Sequence, residues 1–126
     1  MEHWHRSGQA LLNEISSTRL PASQLAVWSI GQCGFIFKYE DTVVCIDPVL
    51  SDLTGPSGSR RCYPAPFAPE ALRADLVLCT HGHADHMAKE TLRGLARHPS
   101  ARFVFPSGCS ALAAEYGIPA DRITTV

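Results

Sequence analysis

Between Leu25 and Ile46 three short strand-like runs follow one another with almost nothing between them, and this constrains the fold more than any other feature. Leu25 to Ile30 is an apolar strand, and Gly31-Gln32-Cys33-Gly34 turns the chain. Phe35, Phe37 and Tyr39 then alternate with Ile36 and Lys38, the two-residue period of a strand. Glu40-Asp41 reverses the direction into Thr42-Val43-Val44-Cys45-Ile46, a β-branched run ending at Asp47-Pro48. Strands this close in sequence pair as an antiparallel meander. After residue 73 the pattern changes. Ala74 to Thr80 is a buried strand, and Ala88, Leu92, Leu95 and Ala96 share one face of a helix. Arg102 to Phe105 is a strand, Ser107 caps a helix through Ala111, Leu112 and Ala114, and Arg122 to Val126 is a last strand. A meander followed by strand–helix alternation predicts an α/β domain with a mixed β-sheet and flanking helices.

The remaining segments are extensions of that plan. Residues 1–23 form an N-terminal helical extension, with Leu11, Leu12 and Ile15 at helical spacing from Gln9 to Thr18 and Pro21 closing it. Residues 48–69 hold Pro48, Gly55, Pro56, Gly58, Pro64, Pro66 and Pro69 together with Ser51, Ser57 and Ser59, which predicts a long irregular loop, and such loops are commonly functional. One helical turn, Pro69 to Arg73, follows it. A chain of 126 residues is a single domain. A final strand running to Val126 with no turn or cap behind it leads us to expect that the polypeptide continues.

Composition removes several classes of function. Twelve acidic against eleven basic residues give a net charge of −1 with no basic stripe, which excludes nucleic acid or an anionic membrane as the principal partner. Five cysteines at 33, 45, 62, 79 and 109 include no Cys-x-x-Cys pair, so neither a disulfide framework nor a zinc knuckle is indicated. Cys45 and Cys79 sit inside apolar runs and read as core. No apolar segment has the length of a signal core or a membrane span, so the expected compartment is the cytoplasm.

One segment carries chemistry: Thr80-His81-Gly82-His83-Ala84-Asp85-His86. At this chain's own His and Asp frequencies, His-x-His-x-Asp-His arises by chance about six times in ten thousand such sequences. Following an extended strand, His81 and His83 point to the same side and can grip one cation. Asp85 and His86 fall at the start of the next helix and reach a second point nearby. Small residues at Gly82 and Ala84 let the donors crowd together. Imidazole and carboxylate suit zinc, iron and manganese. The plainer alternative is a set of solvated polar residues at a strand-to-helix turn. His98, in the last turn of its helix, reads as a partner of the helix dipole, and Asp121 as a loop residue. His3 and His5 read as a frayed end, and Gly31-x-x-Gly34 lacks the pattern of a nucleotide loop.

His-x-His-x-Asp-His after an apolar strand resembles the metallo-β-lactamase superfamily, whose fold is a four-layer αβ/βα sandwich. The meander ending in Cys45-Ile46-Asp47-Pro48 resembles the N-terminal half of that fold. Trp28-Ser29-Ile30-Gly31-Gln32-Cys33-Gly34-Phe35 and Ala74-Asp75-Leu76-Val77-Leu78-Cys79-Thr80-His81 are most similar to the branch typified by L-ascorbate-6-phosphate lactonase. The resemblance implies that His81 and His83 serve a first metal and Asp85 and His86 a second, with one or two divalent ions, zinc or manganese. Asp85 would otherwise steer the attacking water as a catalytic residue. Asp47 would support the ligands from behind, its alternative being an Asp-Pro turn former. The resemblance further implies a third His, a bridging carboxylate and a last His, which the sequence after His86 does not present.

The function expected from this resemblance is metal-dependent hydrolysis of a small molecule, lactonase-like on an anionic substrate that Arg60 and Arg61 in the long loop would meet. A phosphodiesterase or ribonuclease of the same superfamily is the nearest alternative. The other is an inactive half-domain that binds metal weakly and self-associates as a homo-oligomer through an exposed half-sandwich face.

Overall fold

The computed structural model describes residues 4–53 and 60–126. Six strands form one mixed sheet in the order β1-β2-β3-β4-β5-β6. The first three, β1 (Ala26–Gly31), β2 (Gly34–Tyr39) and β3 (Thr42–Ile46), are antiparallel neighbours. From there β4 (Leu76–Leu78), β5 (Arg102–Phe105) and β6 (Ile123–Thr125) add in parallel, so both expected halves of the pattern are present. Helices α1 (Gly8–Ser17), α2 (Lys89–Leu95) and α3 (Ser110–Glu115) supply the other layer. Of the 48–69 loop, residues 54–59, including Gly55, Pro56, Ser57, Gly58 and Ser59, lie outside the described residues, as does His3.

Strand alternation decides which face is covered. Ile30, Ile36, Val43, Cys45, Val77, Phe103 and Phe105 join Leu11, Ile15, Leu92, Leu95 and Ala113 from the helices in one buried core. The opposite face reads across the ladders as Val27–Phe37–Val44–Leu76 and Phe35–Ile46–Leu78–Val104. That face is apolar and open among the described residues: Val27 is 51% exposed and Phe35 40%. Lys38 alternates onto the covered side and is buried there, where its Nζ donates to the carbonyls of Ile15 and Ser16 at 2.8 and 2.9 Å. These are carbonyls that the end of α1 leaves without helical partners.

Several boundaries differ from the sequence reading, each for a tertiary reason. The strand expected from Ala74 to Thr80 is only Leu76–Leu78, because its two parallel ladders pair it only with Val44–Ile46 on β3 and Arg102–Val104 on β5. Pro69–Ala71 is a 3-10 turn, and Ser107 opens another, with Pro106 rather than Ser107 at the cap position. The buried residue of α3 is Ala113, with Leu112 packed at the core's edge. The start of the long loop is not surface: Pro48, Val49, Leu50 and Phe67 are buried, and Leu50 N–H donates to Thr91 Oγ1 at 2.9 Å.

Candidate metal centre

The site gathers at the carboxyl ends of β3 and β4, where a mixed or parallel sheet presents its ligand-binding edge. Asp47 follows β3 directly. Its backbone N–H donates to Leu78 O at 2.9 Å, continuing the ladder, while its φ of +46° lies in the left-handed region. Aspartate tolerates that region better than most residues, at a cost on the order of 1 kcal/mol. The twist turns a buried carboxylate toward the end of β4. There Asp47 Oδ1 accepts from Thr80 N–H at 2.7 Å, and Oδ2 lies 2.8 Å from Thr80 Oγ1 and 2.9 Å from His86 Nδ1. Asp47 thus joins Thr80 and His86 through one carboxylate at the end of β4.

The histidine segment itself is not helical. His81, Gly82 and His83 form a bend, and Ala84, Asp85 and His86 a turn closed by His86 N–H and Met87 N–H donating to His83 O at 2.9 and 2.7 Å. Helix α2 begins only at Lys89, so the expectation that Asp85 and His86 open that helix is corrected. The turn folds all three rings together. His81 and His83 meet edge to face with centroids 4.6 Å apart, and His81 and His86 lie at 3.9 Å. His81 Nε2 is 3.1 Å from His83 Nδ1, and His86 Nε2 is 3.8 Å from Asp85 Oδ2. Gly82 matters for a neighbour the sequence did not suggest. A Cβ there would stand 3.3 Å from Cys109 Sγ and 3.5 Å from Leu112, so the bend sits directly on the start of α3.

Whether these side chains suit a cation follows from the donors. Two nitrogens held at about 2.0–2.1 Å from one zinc in tetrahedral geometry are about 3.3 Å apart, close to the separation of His81 Nε2 and His83 Nδ1. Asp85 and His86 form a second donor pair. Among the described residues, no group of three or more His, Cys, Asp or Glu side chains converges to hold an ion. The set therefore fits a metal as two open half-sites, each with two donors. Cys79 is no donor: burial, with the Asp47 carboxylate adding to it, pushes its thiol well above the ordinary range.

Other sequence candidates stay away from this cluster. His98 Nε2 is 2.9 Å from Glu70 O, a contact between the end of α2 and the 3-10 turn before β4. Asp121 is exposed, and its carbonyl accepts from Arg102 at 2.7 Å. Arg61 is not offered to an anion. Its guanidinium donates to the carbonyls of Val49, Ile30 (2.9 Å) and Tyr63 (3.3 Å) and lies over the rings of Trp4 and Tyr63, fastening the loop to β1. Arg60 is exposed. Thr80 gives no sign of a role in the sequence, since a threonine beside a histidine carries no signal until β3 and β4 are paired.

The six-stranded mixed sheet with its helices is an α/β fold of the metallo-β-lactamase type. The chain belongs to the beta-lactamase superfamily, whose domain pattern matches residues 42–125. An uncharacterized protein of Mycobacterium tuberculosis is 37% identical over 106 residues, which cover 81% of this chain and 28% of that protein. The 4-amino-L-phenylalanyl carrier-protein 3-hydroxylase of Streptomyces venezuelae is 33% identical over 89 residues, covering 71% of this chain and 16% of the hydroxylase. The chain thus spans less than a third of the length of these relatives. Among solved structures, the diiron β-hydroxylase CmlA of Streptomyces venezuelae superposes with a TM-score of 0.57 at 25% identity, over 86% of this chain and 22% of CmlA. Igni18, a metallo hydrolase of Ignicoccus hospitalis, shares the fold with a TM-score of 0.52 at 20% identity, over 79% of this chain and 38% of its own. No described helix is long and apolar enough to cross a membrane.

Proposed function

We propose that these residues belong to a metal-dependent hydrolase, lactonase-like on a small anionic molecule. The observation that carries this reading is the pair of ring nitrogens, His81 Nε2 and His83 Nδ1, facing each other 3.1 Å apart. His81 and His83 would hold one divalent ion, zinc or manganese, and Asp85 and His86 a second. Such an ion supplies a Lewis acid that lowers the pKa of water toward neutrality and polarises a carbonyl. Asp47 holds His86 and Thr80 in place, and Asp85, with its side chain half exposed, is positioned to accept a proton from water or to orient it. Two donors per ion leave further ligands to be supplied by polypeptide outside these residues. With Arg61 engaged by carbonyls, Arg60 is the loop cation left to meet an anion. The net charge of −1 disfavours the phosphodiesterase or ribonuclease alternative with a nucleic-acid substrate. The test is lactone hydrolysis by the protein expressed from its complete gene, before and after chelation. Loss of turnover with chelator and recovery with zinc or manganese is expected; turnover that survives metal removal overturns the reading.

One observation favours a second reading. The hydroxylase relative, at 33% identity, and the superposed diiron structure show this fold carrying oxidative chemistry in another protein. His and Asp donors suit iron equally. Oxygen consumption with an added reductant by the iron-loaded protein, without lactone hydrolysis, would select it. We also propose that the 126-residue chain by itself self-associates through the open sheet face.

A further inference from the structure

The protons around Asp47 can be counted, and the count assigns a role to Thr80. Asp47 as a carboxylate only accepts, and its Oδ2 lies 2.8 Å from Thr80 Oγ1. Two oxygens that close with no proton between them repel, so the single Thr80 hydroxyl proton lies on that line. Thr80 Oγ1 is then left with lone pairs only toward its next neighbour, His81 Nδ1, 3.0 Å away. His81 must carry its proton on Nδ1 and donate it, which leaves Nε2 as the bare nitrogen. By the same count His83 Nδ1, 3.1 Å away, carries the proton between the two rings in the metal-free chain, and His81 Nε2 accepts it there. His86 receives the same instruction directly: its Nδ1 stands 2.9 Å from Asp47 Oδ2, so Nδ1 donates and Nε2, toward Asp85, stays bare.

We infer that Thr80 is a positioning residue whose hydroxyl relays the Asp47 carboxylate to His81, so that one buried carboxylate sets the tautomers of two histidines and keeps both Nε2 lone pairs available to a cation. This deepens the metal reading above and rests on it for its purpose, though not for its geometry. Outer partners of this kind fix ring orientation and raise donor basicity. Thr80 is exposed, so burial does not require a threonine there.

The experiment is two-bond proton–nitrogen correlation spectroscopy of the metal-free, nitrogen-15 histidine-labelled chain, in wild type, Thr80→Val and Thr80→Ser. In wild type, His81 and His86 are both expected as Nδ1–H tautomers. Thr80→Val keeps the shape and removes the relay, so His81 is expected to shift toward the Nε2–H form. His86, bonded to Asp47 directly, stays as it was and reports that the fold is intact. Thr80→Ser restores His81. Zinc affinity is expected to fall about 10–100-fold in Thr80→Val and to recover in Thr80→Ser. A wild-type His81 protonated on Nε2, or a His81 unmoved by Thr80→Val, overturns the inference. Failure of the protein expressed from its complete gene to bind zinc would overturn the metal reading instead, because the tautomers are measured without metal.

Discussion

A thiol at the centre of the sheet ties stability to alkaline pH. Cys45 is fully buried on β3, and burial pushes its thiol up to about 12 from an ordinary 9.0. A group whose pKa is raised on folding contributes stability that is complete below its unfolded value and lost as pH rises toward the folded one. The contribution of Cys45 therefore begins to fall near pH 9, and by pH 10 about 1.4 kcal/mol is gone, because the unfolded thiol ionises while the folded one does not. Urea unfolding at pH 8 and pH 10 checks this. Cys45→Val, which keeps an apolar side chain of similar size, should lose about 1.4 kcal/mol less than wild type over that interval. Equal losses in the two proteins would show that Cys45 has no part in it. Residues whose partners lie close in sequence were legible at this scale: His81, His83 and His86 are drawn together by a single bend and turn. Asp47 was legible only through the family resemblance, with a turn former as its alternative, and Thr80 not at all, since their bond spans 33 positions and exists only once β3 and β4 are side by side.

Helix α2 meets the 3-10 turn before β4 at a point that only glycine allows. A Cβ on Gly94 would stand 2.6 Å from Pro69 Cγ and 3.2 Å from the backbone nitrogen of Glu70. Alanine normally improves a helix by about 1 kcal/mol over glycine. Here overpacking against a proline ring and backbone outweighs that gain, with a typical cost of about 1–3 kcal/mol. Gly94→Ala should accordingly be destabilised by about 1 kcal/mol net, read as a lower urea midpoint with unchanged slope. A raised midpoint would mean that α2 is free to move away. A different contact sets the other end of α2. Helical spacing of Ala88, Leu92, Leu95 and Ala96 located α2, but its start at Lys89 follows from the turn closed on His83 O, which no periodicity encodes.

One face of the sheet is packed under three helices while the other carries Val27, Phe35, Phe37, Val44, Ile46, Leu76, Leu78 and Val104 with Phe35 and Val27 well exposed. A continuous apolar surface of this extent drives association in water. Sedimentation equilibrium of the 126-residue chain should show a mass that rises with concentration, and the double substitution Val27→Lys, Phe35→Lys should return it to the monomer. A wild-type chain that stays monomeric into the high micromolar range would contradict the proposed self-association.

By itself the sequence determined the kinds of elements, their order, and the crowding of three histidines and an aspartate into one short segment, because periodicity and turn chemistry act within a few residues. Tertiary structure alone decided that the Asp47 carboxylate bonds Thr80 and His86, that Arg61 is spent on the carbonyls of Ile30, Val49 and Tyr63, and that β4 shortens to Leu76–Leu78. Each of these depends on which strand lies beside which. That choice is made by burying one apolar face against the helices, a property of the whole sheet that no local window contains.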